Sequence, residues 1–124
     1  MTSTVLIIED NGQNLYLATF LLEKQGYKVV PAMDGPSGIE LAKTLQARFI
    51  LLDIQLPGMD GYAVAQALRL NPQLNGVPII AVTSYAMLGD REKALAAGCD
   101  GYLEKPINPE TFIADIESYL TKPS

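Results

Sequence analysis

Residues 49–54 read Phe49-Ile50-Leu51-Leu52-Asp53-Ile54, an apolar run that a single acidic residue interrupts. Continuous apolar runs are typical of parallel strands that are covered on both faces. An ionisable side chain in such a run is seldom fully buried unless it is paired. The stretch therefore predicts a buried strand, and Asp53 at its carboxyl end is the first candidate for a functional residue.

Similar short apolar runs occur four more times along the chain, and the stretches between them have the spacing of amphipathic helices. The five predicted strands cover residues 5–8, 28–30, 49–52, 77–82 and 102–103. Strand and helix thus alternate five times. Right-handed crossovers then give an open parallel sheet with helices on both faces.

Each of the five predicted helices has an apolar face or a start or end signal. The first ends at Gly26, the third before Asn71-Pro72 and the fourth, residues 90–97, at Gly98, whereas the last begins with Asn108 as N-cap and Pro109. The apolar faces are Leu15, Ala18 and Leu22 in the first helix, Ile39, Ala42 and Leu45 in the second, Val64 and Leu68 in the third, and Phe112 or Ile113, Ile116 and Leu120 in the last.

Length and composition indicate one soluble α/β domain, residues 1–124, with enough apolar material for a single core. The chain has 124 residues, of which 48% are hydrophobic, so disorder is not expected. No apolar run approaches the roughly 20 residues of a membrane helix, and the first residues lack the features of a signal peptide. Fourteen acidic against nine basic residues give a net charge of −5, which argues against a nucleic-acid surface.

Cysteine and histidine usage excludes several kinds of site. Cys99 is the one cysteine and there is no histidine, so disulfides, multi-cysteine zinc sites, histidine metal clusters and histidine-dependent catalysis are ruled out. The chain cannot itself carry a phosphohistidine. We interpret Cys99 as a small buried core residue.

Polar residues directly follow four of the predicted strands. In open α/β sheets, sites form at the carboxyl ends of the strands, so we expect these residues to converge on one edge. They are Glu9 and Asp10 after the first strand, Asp53 after the third, Thr83 and Ser84 after the fourth, and Glu104, Lys105 and Pro106 after the fifth.

Three carboxylates around one ammonium need a further cation. Two carboxylates about 5 Å apart repel each other by roughly 3 kcal/mol at an effective dielectric of about 20. Oxygen ligands without histidine or cysteine favour Mg²⁺ over zinc. The residues alone leave open simpler roles: Asp10 or Asn11 as a helix cap, Lys105 as a solvated lysine, and Tyr102 as a core residue. We also expect residues 57–61 to form a loop that walls the pocket. Lys105-Pro106 allows a cis peptide bond, which would direct the lysine inward, although most such bonds are trans.

Four motifs, in order, resemble the receiver domain of two-component response regulators, and the resemblance covers residues 5–120. They are Val5-Leu6-Ile7-Ile8-Glu9-Asp10-Asn11, Leu51-Leu52-Asp53-Ile54-Gln55-Leu56-Pro57-Gly58-Met59-Asp60-Gly61, Pro78-Ile79-Ile80-Ala81-Val82-Thr83 and Gly98-Cys99-Asp100-Gly101-Tyr102-Leu103-Glu104-Lys105-Pro106. The resemblance is greatest to stand-alone receivers and those of hybrid sensor kinases. It implies a flavodoxin-like, doubly wound sheet with strand order 2-1-3-4-5 and five helices.

The resemblance also implies a role for each site residue. Asp53 is the expected phosphoacceptor, which takes a phosphoryl group from a partner's phosphohistidine. The implied Mg²⁺ ligands are Asp10, Asp53 and the backbone carbonyl of Gln55, with Glu9 acting through water. Lys105 and Thr83 are expected to bind phosphoryl oxygens, and Thr83 and Tyr102 to form the switch.

Two positions depart from the usual pattern of the family, and two others bear on access of water to the phosphate. Ser84 replaces a small alanine, and its hydroxyl either joins the phosphate site or fills the same space. Glu104 replaces a smaller neutral residue beside Lys105. Gln55 and Tyr85 stand where side chains are able to shield the phosphate from water.

The implied function is a phosphorylation-activated signalling switch, not an enzyme acting on other substrates. Its expected partners are a histidine kinase or histidine phosphotransfer protein and a downstream protein that contacts the face of helix four, strand five and helix five, including Leu88, Leu95 and Tyr119. We expect a cytoplasmic monomer or weak dimer that signals by protein contact, either by itself or as part of a larger regulator.

Two other functions compete with this interpretation. An aspartyl-phosphate phosphatase of the haloacid dehalogenase type needs a second acid two residues after the nucleophile, where this chain has Gln55. A receiver-like binding module that takes no phosphate would not need the full set Glu9, Asp10, Asp53, Thr83 and Lys105.

Overall fold

The computed structural model describes residues 3–56, 58, 60–84 and 89–120. Strands and helices alternate throughout, as the sequence predicts. In chain order the elements are β1 (Thr4–Ile8), α1 (Gly12–Lys24), β2 (Lys28–Ala32), α2 (Gly35–Thr44), β3 (Ala47–Asp53), α3 (Gly61–Arg69), a short 3₁₀ turn (Pro72–Leu74), β4 (Ile79–Thr83), α4 (Asp90–Ala96), β5 (Gly101–Glu104) and α5 (Phe112–Leu120).

The five strands form one parallel sheet in the order β2-β1-β3-β4-β5. This order and the helices on both faces confirm the predicted doubly wound, flavodoxin-like architecture. The central strand is β3, whose residues 49–53 are all buried. Asp53 therefore ends the central strand, between the ends of β1 and β4.

Two apolar clusters cover the two faces of the sheet, because successive side chains of a strand point to opposite faces. Alternate residues of β1, β3 and β4 divide between them. One cluster packs under α2, α3 and α4 and includes Leu6, Ile8, Ile50, Leu52, Val64, Leu68, Ile79, Ala94 and Cys99. The other packs under α1 and α5 and includes Val5, Ile7, Leu22, Phe49, Leu51, Ile80, Phe112 and Ile116.

Several predicted boundaries are wrong by a few residues: β2 extends to Ala32, β3 begins at Ala47, and two further shifts have a local cause. Strand β4 begins at Ile79 and not at residue 77, because the Val77 N–H donates to the Leu74 carbonyl (3.0 Å) and Pro78 has no N–H. Helix α5 begins at Phe112, since residues 108–111 form a turn in which Asn108 Oδ1 accepts the Glu110 N–H (3.0 Å). Asn108 still starts the turn, and its carbonyl accepts the Phe112 N–H at 2.9 Å.

The carboxyl end of α4 is held by a hydrogen-bond network around Arg69. The carboxyl end is tied to α3, because Arg69 Nε donates to the Gly98 carbonyl (2.7 Å), and Arg69 also donates to the Leu74 and Val77 carbonyls and pairs with Asp100. The amino end begins at Gly89, which has a φ of 92° and provides no side-chain cap. The helix is therefore anchored at the edge of the sheet opposite Asp53.

None of the helices in the part of the chain described by the structure is long and apolar enough to span a bilayer.

Candidate functional site

The predicted polar residues meet at the carboxyl edge of the sheet. Asp53 and Thr83 are the last residues of β3 and β4, and Glu9 and Lys105 directly follow β1 and β5. Glu9, Asp53 and Thr83 are buried, with exposed fractions of only 5%, 3% and 1%. Buried polar groups of this kind require partners, and each has them here.

Three carboxylates form the acidic part of this site. Oxygen atoms of Glu9, Asp10 and Asp53 all lie within 4.8 Å of one another. Asp10 is exposed and does not cap α1; Asn11 does so, accepting the Asn14 N–H at 3.0 Å. The Asn11 N–H in turn donates to Glu9 Oε2 at 3.2 Å. Asp10 is thus not the helix cap that the residues alone left possible.

Lys105 contributes the one ammonium group in contact with this cluster among the described residues. Its Nζ lies 2.8 Å from Glu9 Oε1 and 3.3 Å from Asp53 Oδ2, and its side chain is 8% exposed. The Lys105–Pro106 peptide bond is cis, the form that the sequence allows. Lys105 is therefore a buried ion-pair partner of two carboxylates and not a solvated lysine.

The pKa of Glu9 reflects its burial within this cluster of charges. Burial, together with the neighbouring Asp53 carboxylate, raises the pKa of Glu9 to about 7, although Lys105 opposes this shift. Desolvation disfavours the charged form of a carboxyl, and a like charge nearby adds to the effect. Burial is thus the main cause of the raised pKa of Glu9, and the Asp53 carboxylate adds to it.

The backbone and side chain of Gln55 connect Asp53 to the end of β4. The Gln55 N–H donates to Asp53 Oδ1 at 2.9 Å. Its side-chain amide donates through Nε2 to Thr83 Oγ1 and accepts the Ser84 N–H through Oε1 at 3.0 Å. Both oxygens of Asp53 are thus oriented, Oδ1 by the backbone N–H of Gln55 and Oδ2 by Lys105.

A close backbone approach shapes the chain that follows Asp53. The Gly61 N–H donates to the Ile54 carbonyl at 3.2 Å, and a Cβ on Gly61 would lie 2.4 Å from Ile54 Cα. Asp60 caps α3 by accepting the Tyr62 N–H at 3.0 Å. The predicted loop is therefore closed by Gly61 against Ile54; Pro57 and Met59 lie outside the described residues.

The predicted switch residues, Thr83 and Tyr102, lie on neighbouring strands but are not opposite each other in the register of the sheet. In the register of β4 and β5, Thr83 is opposite Glu104 and Tyr102 is opposite Ala81. Tyr102 is half-buried against the cluster under α2, α3 and α4, and this burial raises its pKa. Its role as a switch stays a prediction. Tyr85 and Leu88 lie outside the described residues.

The surface predicted for partner contact is partly apolar. Leu95 on α4 is 50% exposed, whereas Ala94 and Ala97 pack inward. Tyr119 is half-buried, and its hydroxyl donates to the Tyr102 carbonyl at 3.2 Å. Tyr119 therefore holds α5 against β5 and exposes only part of its ring.

The residues of the site fit a magnesium ion. Three carboxylates offer oxygen ligands alone, two of them are buried, and Lys105 leaves their charge incompletely neutralised. Mg²⁺ prefers oxygen ligands and typically keeps several waters, which suits a cluster open to solvent on the side of Asp10. The carbonyl of Gln55 as a further ligand stays a prediction.

Comparison with known proteins agrees with this architecture. Residues 5–117 match the family model described as response regulator receiver domain. The chain is a member of the response regulator receiver family. It is 41% identical to the polar-differentiation response regulator DivK of Brucella ovis and of Brucella abortus over 120 residues, which cover 97% of this chain and 98% of those proteins.

Solved structures of receivers have the same fold. The receiver domain of a sensor histidine kinase from Pseudomonas aeruginosa PAO1, with magnesium coordinated in its active site cleft, is 32% identical (TM-score 0.89; 98% of this chain and all of that one). The chemotaxis regulator CheY4 of Vibrio cholerae is 28% identical (TM-score 0.91; 97% and 100%). The family is not a classical enzyme family, so the phosphatase alternative loses its support.

The bridge made by the Gln55 side chain is the part of the site that the sequence did not indicate. The sequence indicated Gln55 only as a metal ligand through its backbone carbonyl and as a side chain able to shield the phosphate from water. The contact to Thr83 and Ser84 depends on where the side chain points across a gap of 28 residues, which no local pattern encodes.

Proposed function

We propose that this receiver domain, taken as residues 1–124, is a phosphorylation-activated switch in which Asp53 accepts a phosphoryl group from a phosphohistidine. The observation that carries the proposal is the environment of Asp53. It ends the central strand, pairs with Lys105 at 3.3 Å, and lies within 4.8 Å of the Glu9 and Asp10 carboxylates. A buried carboxylate with two oriented oxygens is a preorganised nucleophile.

In the proposed transfer, one carboxylate oxygen of Asp53 forms a bond to phosphorus while the phosphorus–nitrogen bond of the donor breaks. The departing imidazole takes the electron pair of that bond and leaves neutral, with the proton on its other ring nitrogen. Phosphoryl transfer depends mainly on positioning and charge stabilisation. Lys105 is placed to bind an equatorial oxygen, and the Thr83 hydroxyl is proposed to bind another.

Glu9, Asp10 and Asp53 are the residues that would hold Mg²⁺, with Glu9 acting through water. When bound, the ion supplies positive charge to the phosphoryl oxygens and offsets the mutual repulsion of the carboxylates. The raised pKa of Glu9 has burial as its main cause.

The proposed output is a shift between two conformations of the same fold. An acyl phosphate adds about −1.5 to −2 charge and is able to make one to three charge-assisted hydrogen bonds. Bonds made in only one conformation shift the population toward it. Thr83 leads toward α4, and Tyr102 lies on β5, so we propose the face formed by α4, β5 and α5 as the surface for a downstream protein.

The proposed phosphodonor is a histidine kinase or a histidine phosphotransfer protein, because this chain has no histidine of its own. We further propose that the domain acts in the cytoplasm as a monomer or weak dimer. A module that binds partners without phosphate is the competing proposal.

Intact mass measurement after incubation with Mg²⁺ and acetyl phosphate tests this function. We expect the added mass of one labile phosphoryl group, which is absent for Asp53→Asn and after chelation of the metal. The matched control is Asp60→Asn, in the nearby cap of α3, which keeps the modification. Asp10→Asn is expected to weaken Mg²⁺ binding about tenfold or more. A phosphate retained by Asp53→Asn, or no modification of the native protein, contradicts the proposal.

A further inference from the structure

The side chain of Gln55 lies between the proposed phosphoacceptor and the end of β4. The backbone N–H of Gln55 donates to Asp53 Oδ1 at 2.9 Å. Its side-chain amide makes two further hydrogen bonds to consecutive residues: Nε2 donates to Thr83 Oγ1, and Oε1 accepts the Ser84 N–H at 3.0 Å. A single residue thus touches the carboxylate that is to be modified and the hydroxyl that is to bind the product.

The chemistry of these groups fixes the direction of both side-chain bonds. A backbone N–H only donates, so the Ser84 N–H must face the carbonyl oxygen Oε1 of the amide. The other end of the amide, Nε2, is then directed at Thr83 and is also only a donor. The orientation of Gln55 therefore follows from Ser84 and does not rest on an arbitrary choice between the amide oxygen and nitrogen.

The Thr83 hydroxyl consequently accepts a hydrogen bond from Gln55. A hydroxyl has one proton to donate, and here that proton cannot be directed to Nε2. A hydroxyl that accepts one hydrogen bond becomes a stronger donor in the next, because bonds in a chain polarise one another. Thr83 is 1% exposed, so water competes little for these bonds.

We propose that Gln55 is a positioning residue: it sets the Thr83 hydroxyl as an acceptor on its own side and thereby as a donor toward a phosphoryl oxygen on Asp53. This inference rests on the proposed function and adds a role for the amide side chain. It predicts that the effect of Gln55 on phosphoryl binding passes through Thr83.

A double-mutant cycle between Gln55 and Thr83 measures this coupling, with beryllium trifluoride and Mg²⁺ as the phosphoryl probe. Gln55→Met removes both side-chain bonds at similar length, and Thr83→Val removes the hydroxyl at similar shape. We expect Gln55→Met to weaken probe binding about three- to tenfold when Thr83 is present. In the Thr83→Val background the same change should have less than a twofold effect.

Gln55→Glu keeps the size of the side chain but replaces the hydrogen-bond donor to Thr83 by an acceptor, so it tests the direction of that bond separately from the space that the residue fills. A carboxylate still accepts the Ser84 N–H but also accepts the Thr83 proton, which takes that proton away from the phosphoryl group. Binding of the probe should weaken more than in Gln55→Met. The part caused by the added charge is measured separately in the Thr83→Val background.

The bond itself is visible by NMR in the unmodified protein. The side-chain amide resonances of Gln55 should shift on Thr83→Val, because their hydrogen-bond acceptor is lost. Equal effects of Gln55→Met in both Thr83 backgrounds, or unchanged Gln55 amide resonances, overturn the inference. If the native protein fails to bind the probe through Asp53, the proposed function fails instead, and the NMR measurement still decides the contact.

Discussion

The ammonium of Lys105 lies closer to Glu9 than to Asp53: its Nζ is 2.8 Å from Glu9 Oε1 and 3.3 Å from Asp53 Oδ2. Both pairs are buried, so the lysine neutralises part of the charge that a divalent cation would also neutralise. In the proposed function, lysine and metal would therefore compete for the same carboxylates before phosphorylation and act together after it.

Lys105→Met should raise the affinity for Mg²⁺ while slowing phosphorylation from acetyl phosphate by about tenfold or more. The affinity rises because the competing ammonium is gone, and the rate falls because a charged donor to the phosphoryl group is lost. Calorimetric titration with Mg²⁺ and intact mass measurements over time check the two effects. The exposed Lys24→Met is the control; a loss of Mg²⁺ binding in Lys105→Met would instead mean that the lysine holds the carboxylates in place.

Gly61→Ala should destabilise the fold by about 2 kcal/mol or more, because the new Cβ would lie 2.4 Å from Ile54 Cα and 2.7 Å from its carbonyl oxygen. Backbone atoms cannot give way as a flexible side chain does. The matched control is Gly12→Ala in α1, where a Cβ meets nothing within 4 Å. That change should stabilise the protein by about 0.5–1 kcal/mol. Urea denaturation compares the two; equal stabilities would contradict the close approach.

Arg69→Ala should cost about 3 kcal/mol of unfolding free energy, since it leaves Asp100 and the Gly98, Leu74 and Val77 carbonyls without the guanidinium that they share. Because the network is at the edge of the sheet opposite Asp53, phosphorylation of the folded fraction should persist. Arg48→Ala, at an exposed arginine, should change stability little. Loss of phosphorylation at full stability would be the contrary result.

Cys99 should resist alkylation in the folded protein at pH 8 and react once urea unfolds it. Burial raises the pKa of this thiol from 9.0 to about 11, and the thiolate is the reactive form. The unfolded thiol ionises first as the pH rises, so its contribution to stability is complete below pH 9 and declines between pH 9 and 11. Denaturation of native and Cys99→Ala proteins across this range isolates it; rapid alkylation of the folded protein would contradict the burial.

The sequence predicted the features of this molecule that depend on the periodicity of apolar residues and on the order of strands and helices along the chain. Apolar runs located the five strands, and the strand order followed from the family resemblance. The convergence of Glu9, Asp53, Thr83 and Lys105 followed because the carboxyl ends of parallel strands share an edge. These features survive small errors in element boundaries.

What the sequence did not predict depends on side-chain direction and on local competition for hydrogen bonds. The start of β4 moved because the Val77 N–H is used by the preceding turn, and the start of α5 moved because Asn108 caps a turn of its own. The Arg69 network joins residues up to 31 positions apart. Neither spacing nor composition encodes such contacts.

The anchoring of the carboxyl end of α4 has a mechanical consequence. Any rearrangement of α4 that preserves the Arg69 bond to Gly98 must leave that end in place and act as a rotation about it. The pivot lies at the edge of the sheet opposite Asp53, far from the acidic cluster. Such a rotation would swing the outward-facing Leu95 along an arc.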